Sequence, residues 1–343
     1  MKWLNPIRDP DWDDRLLQNG DESFFHTSEW AKVLNESFLY DPMYLSAGSG
    51  DRIDLLMPMM EIRSRLTGAR GVSLPFTDFC PLFARDKDAI PAAIQEAIDA
   101  GTKKGWKYLE WRSPEPLGEG IPSWISFYVH QIDLRSPEEV LFAGLDDSNR
   151  RNIKKARKAG MAIRIDRTGE TLEEFYRLNC LTRKRHGLPP QPYAFFNSTK
   201  KHLFSNGFAI ILSAIFEGRT IAAAVFFHFG KQALFKYGAS DTRYQNVRPN
   251  NLILWEAVQW YRAMGYETLN LGRTEFNNPG LLRFKRAWGA RESSLNYLHY
   301  DLKAKAFLAS PPASSGGLRT KCLTRTPVLL LRLAGKLLYR HAG

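Results

Sequence analysis

The chain has 343 residues, 44% hydrophobic and 13% aromatic, with a formal net charge of +12. That length suits two domains with cores of their own, and the composition excludes a disordered chain. Cys80, Cys180 and Cys322 are far apart, odd in number and without metal-ligand spacing, which argues against a disulfide framework and favours a reducing compartment.

The N-terminus has no signal-peptide core, and no run approaches the roughly 18 apolar residues of a membrane span. The default is therefore a cytoplasmic enzyme or binding protein, with no metal site.

The first elements alternate helix and strand. A helix is predicted near Ser28–Asn35, strands at Met43–Ser46 and Ile53–Ile62, and a loop with strand edges at Ser73–Phe83, where two prolines exclude a central strand. A helix at Ala89–Lys104 stops at Gly105, followed by strands Lys107–Arg112 and Ser126–Leu134. At the seam, Ser136-Pro137-Glu138-Glu139 reads as a helix opening with Ser136 as N-cap. Asp146 restarts a helix that holds the basic block Arg150–Lys158, six basic residues in nine, and stops at Gly160.

Strand Met161–Asp166 leads to Thr171-x-x-Glu174, a capping box opening a helix that ends in the basic cluster Arg183–His186. After a helix at Tyr193–Ser205, three antiparallel strands are predicted at Phe208–Phe216, Thr220–Phe229 and Gln232–Gly238. Ile221–Phe229 is nearly all apolar, as a strand covered on both faces requires. His228 within it reads as packed, and His186 as solvated. Arg248-Pro249-Asn250-Asn251 opens helix Leu252–Met264; strand Glu267–Leu271 and a last strand Ser294–Leu302 complete the half.

One stretch carries chemistry. Strand 267–271 runs through Gly272-Arg273 into a glycine-opened loop, and a second short element presents Lys285 between Phe284 and Arg286. The reversal brings Arg273, Glu275 and Lys285 near one another. An amine there suits an oxyanion or a phosphate, and a solvated hairpin is the alternative. Arg273 has a structural alternative too, in a pair with Glu267 or Glu275. Glu275 or Asp78 is a candidate base. Arg286 joins the substrate-binding candidates. Without a Ser-His-Asp or Cys-His arrangement, direct attack with no covalent enzyme intermediate is expected.

The C-terminal segment stands apart. From Leu302 to Gly343 there are eight basic residues and no acid, which leaves +4 on the rest of the chain. Pro311–Gly317 reads as a flexible linker, and Val328–Arg340 as an amphipathic helix with Arg332, Lys336 and Arg340 on one stripe. This tail and the Arg150–Lys158 block suit phosphates, tRNA or an acidic lipid surface, while the distribution does not make a DNA-binding face. The helix has two fates: docking on the protein, or lying on an anionic membrane.

The order of elements after the seam resembles a GNAT acyltransferase domain. Ser28–Lys32, Ser73–Asp78, the basic helix Arg150–Gly160, Leu234–Ser240, Arg248–Leu252, Leu271–Arg273 and Leu281–Gly289 together resemble the Fem-type, BioF2-like or peptidoglycan-bridge-forming branch of that superfamily. The resemblance spans about residues 20–300. It implies an α+β chain of two tandem GNAT-like domains with mixed, mostly antiparallel sheets, at 1–135 and 136–310, the second catalytic, plus residues 311–343 as linker and basic amphipathic helix.

It also implies transfer of an acyl or aminoacyl group to an amine of a phosphate-bearing cell-envelope precursor at the inner face of the plasma membrane, with aminoacyl-tRNA or an acyl-CoA or acyl-carrier donor and no bound cofactor. Two alternatives stay open: acylation of a polysaccharide or lipid precursor, and a non-catalytic polyanion- or membrane-binding scaffold. By the resemblance Lys285 stabilises the tetrahedral intermediate, Tyr237 lines the cleft, and Arg183 and Lys32 hold precursor phosphates. At the donor-phosphate position stands Gln245–Asn251, with no Gly-rich run, which leaves Asn250, Asn251 and a helix N-terminus to bind an anion.

Overall fold

The computed structural model describes residues 1–21, 23–311 and 323–342. Residues 312–317 of the expected linker and Cys322 lie outside the described residues. The chain forms two compact units. The first comprises residues 1–128 with 293–311 and 337–342, the second residues 129–292 with 323–336. Strands Ile125–Asp133 and Arg291–Asp301 each begin in one unit and end in the other. The division therefore does not follow chain order as the 135/136 and 310/311 boundaries do, because strand membership is set by packing partners.

In the first unit, strands Lys2–Leu4, Tyr44–Ala47, Leu55–Met57 and Phe83–Ala84 form a four-stranded antiparallel sheet. A second group of strands runs Tyr108–Ser113, Gly68–Val72, Met60–Ser64 and Asp41–Pro42. The run expected as one strand from Ile53 to Ile62 is two, Leu55–Met57 and Met60–Ser64, which belong to different sheets with Pro58 between them. Helix Ile90–Lys104 packs Ala93, Ile94 and Ala97 on Trp106, Leu109 and Trp111, and Gly105 closes it at a φ of +67°.

A buried ion pair sits beneath helix Ser28–Phe38. His26 has no exposed surface; its Nδ1 meets the Asp21 carboxylate and its Nε2–H donates to the Pro81 carbonyl at 2.8 Å. Burial alone pulls an imidazole pKa down, but the Asp21 carboxylate outweighs it and raises His26 to about 10.

In the second unit the strand order is Ala162–Asp166, Ala209–Phe216, Arg219–Phe229, Gln232–Ser240, Thr268–Glu275. The first four are antiparallel, and Thr268–Glu275 runs parallel to Gln232–Ser240. Arg219–Phe229 is buried along most of its length, as its apolar run requires. Helix Pro249–Ala263 lays Ile253, Trp255 and Tyr261 on that sheet, starting three residues before the expected point because Pro249 fills its first position. His228 is packed as expected. The Tyr261 hydroxyl donates to its Nδ1 at 3.0 Å, its Nε2–H donates to the Gly207 carbonyl at 2.6 Å, and burial lowers its pKa to about 4.

Two expected caps differ. Ser136 does not cap a helix: Pro137 holds that position for Glu138–Ala143, and the Ser136 carbonyl accepts from Arg262. Thr171 directs its hydroxyl back to the Asp166 carboxylate at 2.7 Å, so Asp166 organises the turn that the capping box was expected to close. Asp146 caps helix Asp147–Lys158 as expected, accepting from the Asn149 N–H.

The C-terminal helix Val328–Leu338 docks through its small side. A Cβ on Gly335 would lie 2.1 Å from the Pro190 carbonyl oxygen, and the Arg332 guanidinium lies over the Tyr176 ring at 5.4 Å. In the first unit, Tyr339 stacks on Phe38 and packs on Phe76, and its carbonyl accepts from the Tyr40 hydroxyl.

Two outcomes follow. A group with a raised folded pKa stabilises fully below its unfolded pKa, near 6.5, and loses that contribution as pH climbs through about 10. Urea denaturation at stepped pH should show stability falling over that window, with the fall absent in His26→Gln; removing the partner of buried Asp21 should itself cost about 3–5 kcal/mol. Gly335→Ala should lower the melting temperature, corresponding to about 1–3 kcal/mol of overpacking against Pro190.

Candidate active site

The site begins where two parallel strands part. Gln232–Ser240 and Thr268–Glu275 pair only at Gln232↔Thr268, Ala233↔Leu269 and Leu234↔Asn270; beyond Leu234 each continues without the other. Lys236 is an extra residue at that point, since Phe226 pairs with Phe235 while Val225 pairs with Tyr237. A bulge sharpens twist and bends the strand, which turns one arm away from the other.

The other arm breaks at Gly272, whose φ is +74°. Successive carbonyls of a regular strand point to opposite sides; a left-handed residue lets two converge. Lys285 uses that convergence, its Nζ donating to the Gly272 carbonyl at 2.8 Å and to the Arg273 carbonyl at 3.0 Å. The lysine comes from helix Pro279–Arg286, capped by the Asn278 side chain on Leu281 N–H, and is only 5% exposed. Two carbonyls of the splayed arm are held by an ammonium ion, while strand Ile125–Asp133 is the arm's other neighbour in the sheet. Thr274 Oγ1 on the same arm is buried with no hydrogen-bond partner among the described residues.

His130 and Glu292 join this neighbourhood, and the sequence carried no sign of either. Fully buried His130 donates from Nε2 to Glu292 at 2.9 Å, and Glu292 also takes two hydrogen bonds from Arg286, at 2.8 and 2.9 Å. Burial and then the Lys285 ammonium push the His130 pKa below the ordinary imidazole value, while Glu292 pulls it upward. Arg286 is thereby committed to the Glu292 carboxylate. An Arg-carboxylate-His chain across 162 residues leaves no periodic or local signal in a sequence.

The remaining expected residues are spread out. Tyr237 lies on the bulged arm, half-buried among Phe175, Phe195, Phe196 and Phe227, with Lys236 Nζ 5.6 Å from its ring. Arg273 and Glu275 point outward from their strand, and Glu267, one expected partner of Arg273, pairs with Lys231 instead. Asn251 is buried and donates to Asn149, tying two helices together, so its amide does not serve as a free anion donor. Asn250 is exposed, 3.5 Å from Ser240 Oγ. Helix Pro249–Ala263 starts behind Arg248 at a φ of +61° and has no side-chain cap on its first N–H groups. Arg183 donates to the Pro189 carbonyl. Lys32 and Asp78 belong to the first unit, where Lys32 pairs with Glu29 and the Asp78 carbonyl accepts from Tyr297.

Asp78 ends a strained loop. Leu74 and Phe76 hold φ of +53° and +60°, and the Arg112 guanidinium binds the Leu74 and Thr77 carbonyls. A cavity of about 550 Å³ in the second unit is lined instead by Glu170, Glu173, Glu174, Arg177 and Arg332 and holds none of the expected catalytic residues. Converging backbone and cation geometry, not cavity size, makes the parted strands the candidate site.

Residues 147–286 match the acetyltransferase (GNAT) domain family. In fold the chain is similar to FemX, with a TM-score of 0.68 at 13% identity over 86% of this chain and 97% of that one. Residues 147–286 are thus similar to a GNAT acetyltransferase domain, within a fold similar to that of FemX. A tandem GNAT protein from the clavulanic acid biosynthesis pathway matches with a TM-score of 0.52 at 11% identity, over 91% of this chain and 99% of that one. A stretch of 80 residues is 34% identical to lipid II:glycine glycyltransferase of Staphylococcus saprophyticus, covering 21% of this chain and 19% of that enzyme's length. The corresponding enzyme of Staphylococcus haemolyticus is 33% identical over 80 residues. The fold is thus α+β and similar to that of a tandem GNAT protein, as the resemblance implied.

Replacing the ammonium tests its structural part. Lys285→Met should leave the Gly272 and Arg273 carbonyls without their donor and lower unfolding free energy by about 1–3 kcal/mol in a denaturant titration.

Proposed function

We propose that the chain is an N-acyltransferase that moves an acyl or aminoacyl group to an amine of a phosphate-bearing envelope precursor of the peptidoglycan type, at the inner face of the plasma membrane. The observation that carries this reading is the fixed Lys285 ammonium at the mouth of the parted strands, where a GNAT sheet opens for its substrates. Partial identity to lipid II:glycine glycyltransferases supports the acceptor class. The missing Gly-rich run at Gln245–Asn251 favours an aminoacyl donor such as charged tRNA over acyl-CoA, since close backbone approach to a pyrophosphate needs glycine.

In the proposed reaction the neutral amine of the acceptor attacks the donor's carbonyl carbon. A C–N bond forms, the bond to the donor's ester oxygen breaks, and the amine's proton ends on the departing hydroxyl. Lys285 steadies the oxyanion of the tetrahedral intermediate, and because it is already positioned by two carbonyls it pays no reorganisation during reaction. Tyr237 borders the cleft from the bulged arm, Glu275 takes up the proton, and Arg273 with Arg183 and Asn250 holds phosphates. The Arg286–Glu292–His130 chain braces the helix that presents Lys285.

The test offers purified protein charged tRNA or acyl-CoA pools with peptidoglycan precursors and follows acyl transfer by mass spectrometry. Product from charged tRNA is expected. Product only from acyl-CoA moves the donor assignment, and salt-dependent tRNA binding without product indicates a non-catalytic scaffold. Lys285→Ala should lower kcat/KM at least tenfold, about 1.4 kcal/mol; turnover within about threefold of wild type in protein with native circular dichroism removes Lys285 from the mechanism.

A further inference from the structure

We propose that the outer face of the C-terminal helix is a docking surface for an anionic lipid bilayer. Helix Val328–Leu338 has one inward line, Leu331 and Gly335, continued by Tyr339, all three buried. Residues two positions on along a helix lie about 200° away, on the opposite face. Leu333 and Leu337 occupy that face, flanked by Leu329 and Leu330, and these four side chains are 51%, 68%, 66% and 53% exposed. Docking therefore consumes the Leu331–Gly335–Tyr339 line and leaves four other leucines facing water, the reverse of the usual economy of an amphipathic helix.

Charge selects the occupant. Lys336 and Arg340 are exposed beside the leucine stripe, Arg332 being held over Tyr176, and residues 302–343 contain eight basic residues and no acid. A stripe of leucine edged by cations, with no opposing carboxylate in its own segment, matches a bilayer that is apolar within and negative at its surface. A second copy would bring the same cations against each other, and RNA offers nothing apolar to the leucines. No described helix is long and apolar enough to cross a membrane, so the contact lies along the surface. This inference deepens the proposed action on an envelope precursor by giving the enzyme its own hold on the surface where a lipid-linked acceptor resides.

Sedimentation of the full chain with phosphatidylcholine vesicles, with and without phosphatidylglycerol, tests it without donor or acceptor, so its failure and that of the transfer assay are separate results. Binding to phosphatidylglycerol vesicles, weakened by salt, is expected. Leu333→Glu/Leu337→Glu should lose at least about tenfold in affinity, and Lys336→Glu/Arg340→Glu should lose the preference for anionic lipid. All four positions are exposed, and unchanged melting temperatures establish that the variants fold. Equal binding with and without phosphatidylglycerol, no vesicle binding, or wild-type binding by the leucine variant would overturn the proposal. So would a dimer in solution that the leucine variant converts to monomer, which assigns the face to a second copy.

Discussion

The second unit depends on a sheet that comes apart under control. Two parallel strands share three residue pairs and then separate, and separation exposes main-chain groups that a continuous ladder would satisfy. An ammonium ion answers part of that deficit: Lys285 binds two consecutive carbonyls that only a left-handed glycine can aim at one point. The same charge that repairs the backbone is thereby fixed at the mouth of the opening. Structure and proposed chemistry draw on one nitrogen, which is why it sits almost wholly out of water yet retains its hydrogen bonds.

Charge is handled in the same manner elsewhere. His26 and Asp21 neutralise one another where water has been removed, and Arg112 binds carbonyls of a loop whose Leu74 and Phe76 occupy unfavourable backbone regions. Arg286 and His130 converge on Glu292. Each case places a charged group against main chain or a counter-charge, as burial demands. The C-terminal helix is the exception: Lys336 and Leu329, Leu330, Leu333 and Leu337 face solvent, and that unspent surface sets it apart.

Much of the architecture was legible because its signals are local. Gly105, Gly160 and the Asp146 cap mark helix ends by backbone preference and side-chain reach, and the apolar run 221–229 announces a strand covered on both faces. Reading failed where a side chain had a better distant partner than its local one. Thr171 turned to Asp166, Ser136 gave its carbonyl to Arg262, and Asn251 was consumed by Asn149. In each, the short-range motif was real as a pattern and lost to a tertiary hydrogen bond.

The sequence by itself determined that a strand runs into a glycine, that a lysine follows on a short helix, and that the tail is basic and leucine-rich, since periodicity and turn chemistry act within a few residues. Only the tertiary structure decided that Lys285 turns inward to two carbonyls, that His130 and Glu292 stand beside it, that strands Ile125–Asp133 and Arg291–Asp301 run from one unit into the other, and that Leu333 and Leu337 of the last helix face outward. Those outcomes depend on which distant group reaches a polar atom first when water leaves, and spacing along a chain does not encode that competition.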